Sequence, residues 1–541
     1  MKINENQLQK WNINKKLILG KIKEQNMPRN AVKITLVIMI ITAISRVLGF
    51  FREMVIAAKF GAGIESDAFF IAYMIPGTIF AAIATAIGTT FIPIYTKKNG
   101  LKERLVFTNN LINITSIIAI IITIISMFFS NYLVSIFAPG FSGSGFDLAV
   151  KLTRIMMTML LFLTLNSIFA SILQSHERFY ITAGLGIPFN LIIVGYLVLY
   201  GNSLGIAGLA WIVVLGVIGQ VIIQVPSLIK TGWRYKVILN WKEEGFQQII
   251  KLVGPVILGA MVGQINVIVD RMLASHLVEG SISALNYANR LNQLSYAIVV
   301  MAIVSVLYPR LSKLFASNQI DAFKMTTMNG LESMIIILLP ITVGGGILAT
   351  PIIQLLFQRG AFDSTATSMT SIAFVYYSIG LIGLGIRELL SRVFYSLQDT
   401  KTPMINGIIA LVINIILNLI LIKYMQHAGL ALGSSISLLV ASLLLYGGLA
   451  KKIGKLNNKY FTISFIKAMV ASMIMAIFVY KLYYFYDITK YSLIIRFGWL
   501  LLSVLFGVLI YLLVSLLLKQ RLVLLTFSKI FNNKKPKAGT F

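Results

Sequence analysis

The sequence predicts an all-α membrane protein that crosses the bilayer fourteen times. Hydrophobic residues fill 57% of its 541 positions and charged residues only 12%, whereas soluble domains average about half apolar and about a quarter charged. The mean hydropathy is +0.86, and apolar runs of about 20 residues, enough to cross a bilayer core of about 30 Å, recur along the chain. These observations exclude a soluble enzyme, a disordered protein and a disulfide scaffold.

The predicted spans are apolar segments separated by polar turns or by turns containing glycine or proline. They cover residues 33–60, 64–95, 106–138, 147–174, 179–200, 203–229, 246–277, 281–308, 326–357, 366–397, 402–424, 428–450, 462–485 and 491–518.

The loop charges support an even number of spans with both termini in the cytoplasm. Loops that follow even-numbered spans are rich in lysine and arginine, as are both termini, whereas loops that follow odd-numbered spans are nearly free of them. Basic residues concentrate in cytoplasmic loops of membrane proteins. The net charge of +29 therefore indicates cytoplasmic loops, and no nucleic-acid partner is expected.

Two parts of the chain are similar at a fixed offset. The stretch from Asp67 to Lys98 resembles that from Ser283 to Lys313, and Pro93 and Pro309 are 216 residues apart (309 − 93). This favours a duplication over chance similarity. Six spans in each copy give two lobes of the same orientation, an arrangement that places a substrate site between the lobes near the midplane.

The predicted domains follow from these spans. They are a basic cytoplasmic arm (1–32), an N-lobe of spans 1–6 (33–230), a cytoplasmic linker (231–245), a C-lobe of spans 7–12 (246–452), two additional spans (453–518) and a basic cytoplasmic tail (519–541).

Charged residues within the predicted spans are candidates for a cavity. A charge near the bilayer centre costs several kcal/mol, so such residues usually face water and usually matter for function. Span 1 contains Arg46, Arg52 and Glu53, and span 8 contains Arg290. Asp67 opens span 2, where a role in the cavity and a role at the helix N-terminus are equally open.

A second set of polar residues suggests a cation site. Asp270 in span 7, Asn414 and Asn418 in span 11 and Ser434 in span 12 would supply the oxygen ligands that hard cations prefer. Interhelical hydrogen bonds without an ion are the alternative. A simple ion pair between Asp270 and Arg271 is a further alternative.

No catalytic motif is found, so we expect a protein that is not an enzyme. There is no cysteine, the three histidines are far apart, and no phosphate-binding G-x-x-x-x-G-K-[ST] loop occurs. Apart from a sodium ion, no cofactor is expected.

Several short motifs occur along the spans and their turns. The stretch from Ser45 to Phe70 reads SRVLGFFREMVIAAKFGAGIESDAFF, and that from Phe394 to Pro403 reads FYSLQDTKTP. Shorter motifs are FIPIY (91–95), APGF (138–141), YANRL (287–291) and YPRLSK (308–313). Together these motifs, which lie within roughly residues 33–450, resemble those of the MurJ (MviN) family, the lipid II flippases within the multidrug/oligosaccharidyl-lipid/polysaccharide exporter superfamily.

The resemblance implies a flippase of the bacterial plasma membrane. Such a protein moves lipid II, an undecaprenyl-pyrophosphate-linked disaccharide-pentapeptide, from the cytoplasmic to the outer leaflet by alternating access, driven by membrane potential or a cation gradient. It places Arg46, Arg52, Arg290, Glu53 and Asp67 around the headgroup. It also assigns sodium coordination to Asp270, Asn414, Asn418 and Ser434, and a lipid-tail groove to spans 13 and 14. Further partners would be membrane lipids and cell-wall synthesis enzymes.

Span 2 departs from the family pattern. Many members carry two arginines and a glutamate after the proline of this span, whereas here Phe80 and Thr85 follow Pro76. The departure leaves open a flippase for another polyprenyl-pyrophosphate-linked glycan. A cation-coupled multidrug antiporter of the same superfamily is a third alternative, and it would have twelve spans and carboxylates in its N-lobe cavity.

Overall fold

The computed structural model describes residues 29–201, 203–454, 458–486 and 488–531 of the chain, and most of them are helical. The helices are α1 (Arg29–Phe60), α2 (Ile64–Lys97), α3 (Gly100–Phe128), α4 (Ser130–Phe137), α5 (Gly143–Met157), α6 (Met159–Ser175), α7 (Phe179–Ala183), α8 (Gly186–Leu199), α9 (Gly205–Ile229), α10 (Glu244–Ala274), α11 (Ser281–Ser295), α12 (Met301–Ala316), α13 (Ile320–Ile347), α14 (Ala349–Phe357), α15 (Ser364–Ser396), α16 (Lys401–Ile453), α17 (Asn458–Tyr484), α18 (Leu493–Leu517) and α19 (Arg521–Phe531). Most of the predicted N-terminal arm and the end of the basic tail lie outside the described residues.

The all-α membrane architecture is confirmed. Within the described residues, eleven helical stretches are long and apolar enough to cross a membrane. One of them, α16, contains two predicted spans, and the backbone leaves helical geometry between them at Gln426, where φ is 50° and ψ is −131°. The exact number of fourteen crossings stays a prediction.

Some predicted spans consist of more than one helix. The predicted span 106–138 is divided between α3 and α4, with Phe129 between them. A straight helix of that length would reach about 50 Å at 1.5 Å per residue, well beyond a core of about 30 Å. Predicted span 8 is also divided, because a π-helical turn, Tyr296–Val300, separates α11 from α12.

Two helical bundles have their own hydrophobic cores. In the N-terminal half, α2, α3, α6 and α9 enclose a core around Phe91 and Phe107. In the C-terminal half, α12, α13, α15 and α16 enclose a core around Phe323 and Phe394. A third core combines residues of both halves, while α17 and α18 pack against α13 through a separate cluster. These are the two lobes and two C-terminal helices that the sequence predicts, although the residue boundaries of the domains stay predictions.

The two lobes meet where three interhelical turns converge, a region we call the turn seal. Its members are Ala58, Gly61, Asp67, Gly280, Ser283 and Ala361. The Ala361 N–H donates to the Ala58 carbonyl at 2.9 Å. A Cβ atom on Gly280, whose φ is +88°, would lie 2.4 Å from the Ala62 carbonyl oxygen. Only glycine combines this backbone conformation with so close an approach.

Two equivalent positions of the predicted duplication contact each other within the turn seal. Asp67 and Ser283 differ by the same 216 residues (283 − 67), and the Asp67 carboxylate accepts hydrogen bonds from the Ser283 N–H at 2.7 Å and from its hydroxyl at 2.5 Å. Equivalent positions touch each other at a two-fold axis. The contact therefore supports a pseudo-two-fold relation between the lobes.

The linker between the lobes is fixed to the N-lobe by three buried asparagines of α3. Asn109 donates to the Arg234 carbonyl at 2.8 Å, and Asn113 donates to the Lys236 carbonyl at 2.9 Å. Asn110 exchanges two hydrogen bonds with the backbone of residue 240. The extended linker thus ends at α10 in a defined position.

Candidate functional site

A cavity of about 280 Å³ lies between the two lobes. It is bounded by α1, α2, α8 and α9 on the N-lobe side and by α10 and α11 on the C-lobe side. Its polar lining consists of Arg52, Glu53, Tyr73, Thr78, Gln264, Arg271, Asn286, Asn289, Arg290 and Gln293. The duplication predicts a site between the lobes, and this cavity occupies that position.

Glu53 joins arginines of both lobes. Its carboxylate lies 2.5 Å from the Arg52 guanidinium and 3.4 Å from Nε of Arg290. Arg52 also donates to the Asn190 side chain at 3.2 Å and lies over the Phe189 ring, 5.2 Å from its centroid. These contacts hold Arg52 in place within the N-lobe, while Arg290 approaches from the C-lobe.

A second cavity of about 180 Å³ adjoins the first and includes Arg46. Arg46, Gly49 and Glu53 are spaced i, i+3 and i+7, which places them on one face of α1. Both cavities share Arg52, Glu53, Arg290 and Gln293 in their linings. Arg46, Arg52, Glu53 and Arg290 therefore lie together, as the sequence predicts.

The combined cavities have an excess of positive charge. Among the described side chains, four arginines (46, 52, 271 and 290) and one carboxylate (Glu53) line them, which gives 4 − 1 = +3. Among the described residues, Oε2 of Glu53 has no hydrogen-bond partner. Guanidinium groups keep their charge and bind phosphate oxygens in a bidentate manner, so this lining suits an anionic headgroup.

Arg271 is a cavity residue that the sequence analysis missed. The sequence suggests only a pairing of Arg271 with Asp270, but no salt bridge joins the two side chains within the described part of the chain. Adjacent residues on a helix point about 100° apart. Asp270 consequently faces α16, whereas Arg271 reaches the cavity and donates to the Ile282 carbonyl at 3.1 Å. This angular offset predicts that Arg271 and Asp270 face different surroundings, and it could have identified Arg271 as a cavity residue.

Asp67 lies in the turn seal and not in the cavity lining. Its carboxylate is 2% exposed and accepts hydrogen bonds from the Gly280 and Ser283 N–H groups, at 2.8 and 2.7 Å, and from the Ser283 hydroxyl. It therefore caps α11 of the opposite lobe. Headgroup binding by Asp67 stays a prediction, and in this conformation its oxygens are occupied.

The four predicted cation ligands lie together. Asn418 donates to Asp270 at 2.6 Å and to the side-chain oxygen of Asn414 at 3.1 Å, and Asn414 donates to Ser434 at 3.2 Å. In the part of the chain that is described, Oδ1 of Asn418 has no partner. No group of three or more histidine, cysteine, aspartate or glutamate residues that could hold a metal occurs in the same residues. Any cation here would depend on the single carboxylate of Asp270 together with amide and hydroxyl oxygens.

Comparison with known proteins identifies the family. A family model described as "Lipid II flippase MurJ" matches residues 56–502. The chain belongs to this family. A relative from Buchnera aphidicola subsp. Schizaphis graminum, described as "Probable lipid II flippase MurJ", is 33% identical over 465 residues, which cover 84% of this chain and 90% of the relative. A relative from Burkholderia cenocepacia, described as "Lipid II flippase MurJ", is 28% identical and covers 76% of this chain and 82% of the relative.

Solved structures agree with the family assignment. A lipid II flippase MurJ in an inward closed conformation matches with a TM-score of 0.75 and 29% identity, covering 90% of this chain and all of that one. An inward-facing multidrug transporter of the MATE family within the MOP superfamily matches with a TM-score of 0.64 and 14% identity, covering 77% of this chain and 99% of that one. The second match shows a common fold.

Proposed function

We propose that this MurJ-family chain is a flippase that moves lipid II from the cytoplasmic to the outer leaflet by alternating access. The observation that carries the proposal is the cavity in which Glu53 joins Arg52 of one lobe to Arg290 of the other. The lobes also contact each other at the turn seal, through Asp67 and Ser283. Relative movement of the lobes would therefore change both the access to the cavity and the spacing of its arginines.

The pyrophosphate is the part of lipid II that the arginines would bind. It would replace Glu53 as the partner of Arg52 and Arg290, so that binding draws the two lobes together. Asn286, Asn289 and Gln293 are spaced i, i+3 and i+7 on α11 and all line the cavity. Their amides would form hydrogen bonds with the sugars and the peptide. Transport of this kind breaks no covalent bond, so the protein would not act as an enzyme.

The polyprenyl tail requires an apolar path outside the cavity. A groove of about 510 Å³ lies between the C-lobe and the last two spans, α17 and α18. Apolar side chains such as Ile341, Val479 and Val508 line most of it. The groove supports the proposal that α17 and α18 hold the lipid tail while the headgroup occupies the cavity.

Membrane potential, a cation gradient, or both would drive the cycle. The amino group of the Asn418 amide now lies between Asp270 and the Asn414 oxygen. Rotation of this amide by 180° would replace the donor with Oδ1 and bring three oxygens towards one point. Sodium prefers such oxygen ligands. We therefore propose a sodium site formed by Asp270, Asn414, Asn418 and Ser434.

Asp270→Asn is expected to abolish the response of transport to sodium. The substitution removes the charge that a cation would balance and retains the shape of the side chain. Transport by the purified protein in vesicles would be measured in sodium and in potassium, with Asp363→Asn as a control at a carboxylate outside the cavity. If wild type and Asp270→Asn respond identically to both ions, sodium coupling at this site is wrong.

Another polyprenyl-pyrophosphate-linked glycan is the second candidate substrate. The α2 side chains that line the cavity, among them Tyr73, Met74 and Thr78, are uncharged, so α2 adds no positive charge to the site. Depletion of the protein in living cells discriminates between the candidates. Accumulation of lipid II in the cytoplasmic leaflet is expected, and accumulation of a different lipid-linked glycan would overturn the assignment. A drug antiporter is disfavoured because the cavity is cationic.

We place the protein in the bacterial inner membrane with both termini in the cytoplasm, where it would meet membrane lipids and cell-wall synthesis enzymes. The basic loops support this orientation. Reporter domains fused at Lys98 and Arg234 are expected to lie in the cytoplasm, and a reporter fused at Glu279 is expected to lie outside the cell membrane. A cytoplasmic signal at Glu279 would contradict the fourteen-span topology.

A further inference from the structure

A cleft of about 460 Å³ lies between α12 and α13 of the C-lobe, and its lining shares no residue with the two cavities that contain the arginines. Its deeper part is apolar and includes Ala302, Ile303 and Ile337, while Arg310, Thr326 and Asn329 line the part nearest the α12–α13 turn. Val306, midway along, is 71% exposed. The cleft is therefore amphipathic along its length and open at the protein surface.

The length of the cleft matches one leaflet. Thr326 and Ile337 are eleven positions apart (337 − 326) on α13, which corresponds to about 16 Å at 1.5 Å per residue. Half of a hydrocarbon core of about 30 Å is about 15 Å. Because the α12–α13 turn is on the predicted cytoplasmic side, the polar end of the cleft lies at the headgroup level and the apolar end near the midplane.

The polar end has unused hydrogen-bond donors. In the described part of the chain, Arg310 forms no salt bridge with a carboxylate. Arg521 donates to the Asn329 side-chain oxygen and to Glu332, which neutralises Arg521 and leaves the Asn329 amino group as a donor. A guanidinium and an amide at the mouth of an apolar cleft are the groups that a lipid phosphate would require.

We propose that this cleft binds one anionic phospholipid of the cytoplasmic leaflet, with its phosphate on Arg310 and Asn329 and an acyl chain along Val306 and Ile337. The positive charge of Arg310 favours an anionic lipid. Because the length of the cleft matches one leaflet, the acyl chain would come from a lipid of the cytoplasmic leaflet. The bound lipid would also border the proposed tail groove, since Ile337 lines both.

The test is native mass spectrometry of the intact protein in detergent, titrated with phosphatidylglycerol or phosphatidylcholine. We expect one tightly retained phosphatidylglycerol in the wild type. Arg310→Gln should weaken its binding about tenfold or more, because a hydrogen bond to a charged group contributes about 1.5–3 kcal/mol. Lys313→Gln is the matched control, because the substitution removes the same charge from an exposed residue of the same helix that is not part of the cleft lining. Val306→Trp should fill the cleft and reduce retention with Arg310 intact.

Three outcomes would overturn the proposal. If the Arg310 and Lys313 variants lose affinity for phosphatidylglycerol equally, the lipid is attracted by the overall positive surface charge and not by the cleft. Equal retention of phosphatidylcholine would remove the charge selectivity. Displacement of the retained lipid by a polyprenyl pyrophosphate, at concentrations that fill the central cavity, would assign the cleft to the transport substrate. None of these results bears on lipid II flipping itself, which a separate transport assay measures.

Discussion

Arg290→Ala is expected to weaken binding of the lipid II headgroup by about 30- to 150-fold. Arg290 is one of the arginines that approach Glu53 from opposite lobes, and its guanidinium would contact the pyrophosphate directly. A charge-assisted, partly desolvated contact of this kind contributes about 2–3 kcal/mol, and about 1.4 kcal/mol corresponds to a tenfold change. Titration of the purified variant with a fluorescent lipid II analogue measures the loss.

Two further variants separate charge from geometry. Arg290→Lys should restore part of the affinity, because an ammonium keeps the charge and lacks the bidentate fork. Lys59→Ala should have little effect, since Lys59 is exposed at the end of α1 and lines neither cavity. If the Lys59 variant loses affinity while Arg290→Ala binds normally, the headgroup site has been assigned to the wrong residues.

Asp67→Ala is expected to open the turn seal. The substitution removes three hydrogen bonds to a buried carboxylate that connect the lobes. If the closed state loses about 3 kcal/mol of stabilisation, the ratio of closed to open molecules falls by about a hundredfold. Because the chain has no native cysteine, a single cysteine at Gln293 reports access to the cavity. Labelling by a membrane-impermeant thiol reagent from outside should increase strongly.

Asp363→Ala supplies the control for this experiment. Asp363 also caps a helix, since it accepts a hydrogen bond from the Ala366 N–H at 2.8 Å, but both residues belong to the same lobe. Its loss should leave external labelling of the cysteine unchanged. Equal labelling of the wild type and the Asp67 variant would mean that Asp67 does not hold the lobes together.

Much of the architecture follows from the sequence because the bilayer imposes strict requirements. Apolar length predicts the spans, loop charge predicts their orientation, and the offset of 216 residues predicts two related lobes. The contact between Asp67 and Ser283, which are equivalent positions, could have been anticipated from that offset. Breaks within spans were not predicted, because a π-helical turn such as Tyr296–Val300 leaves no distinct pattern of hydropathy.

The charged residues of the site could be predicted from the sequence, but their contacts with each other could be predicted only in part. Arg46, Arg52, Glu53 and Arg290 stand out as charges in apolar helices, and they lie together. The bridging position of Glu53 depends on how α1 and α11 meet, which hydropathy does not encode. The sequence predicts a role for Asp67 because this residue opens span 2 and matches an acidic residue of the family motif, with a place at a helix N-terminus as the alternative. Its partners belong to a turn more than 200 residues away.

Transbilayer movement of lipid II by the purified protein is the direct measurement of flippase activity. Vesicles containing the protein and fluorescent lipid II would be treated with an impermeant quencher, which reports the fraction of lipid II in each leaflet over time. We expect rapid exchange with wild type, strongly reduced exchange with Arg290→Ala, and near wild-type exchange with Lys59→Ala. If wild-type vesicles exchange lipid II no faster than protein-free vesicles, under both sodium and potassium and with an imposed membrane potential, the protein is not a lipid II flippase.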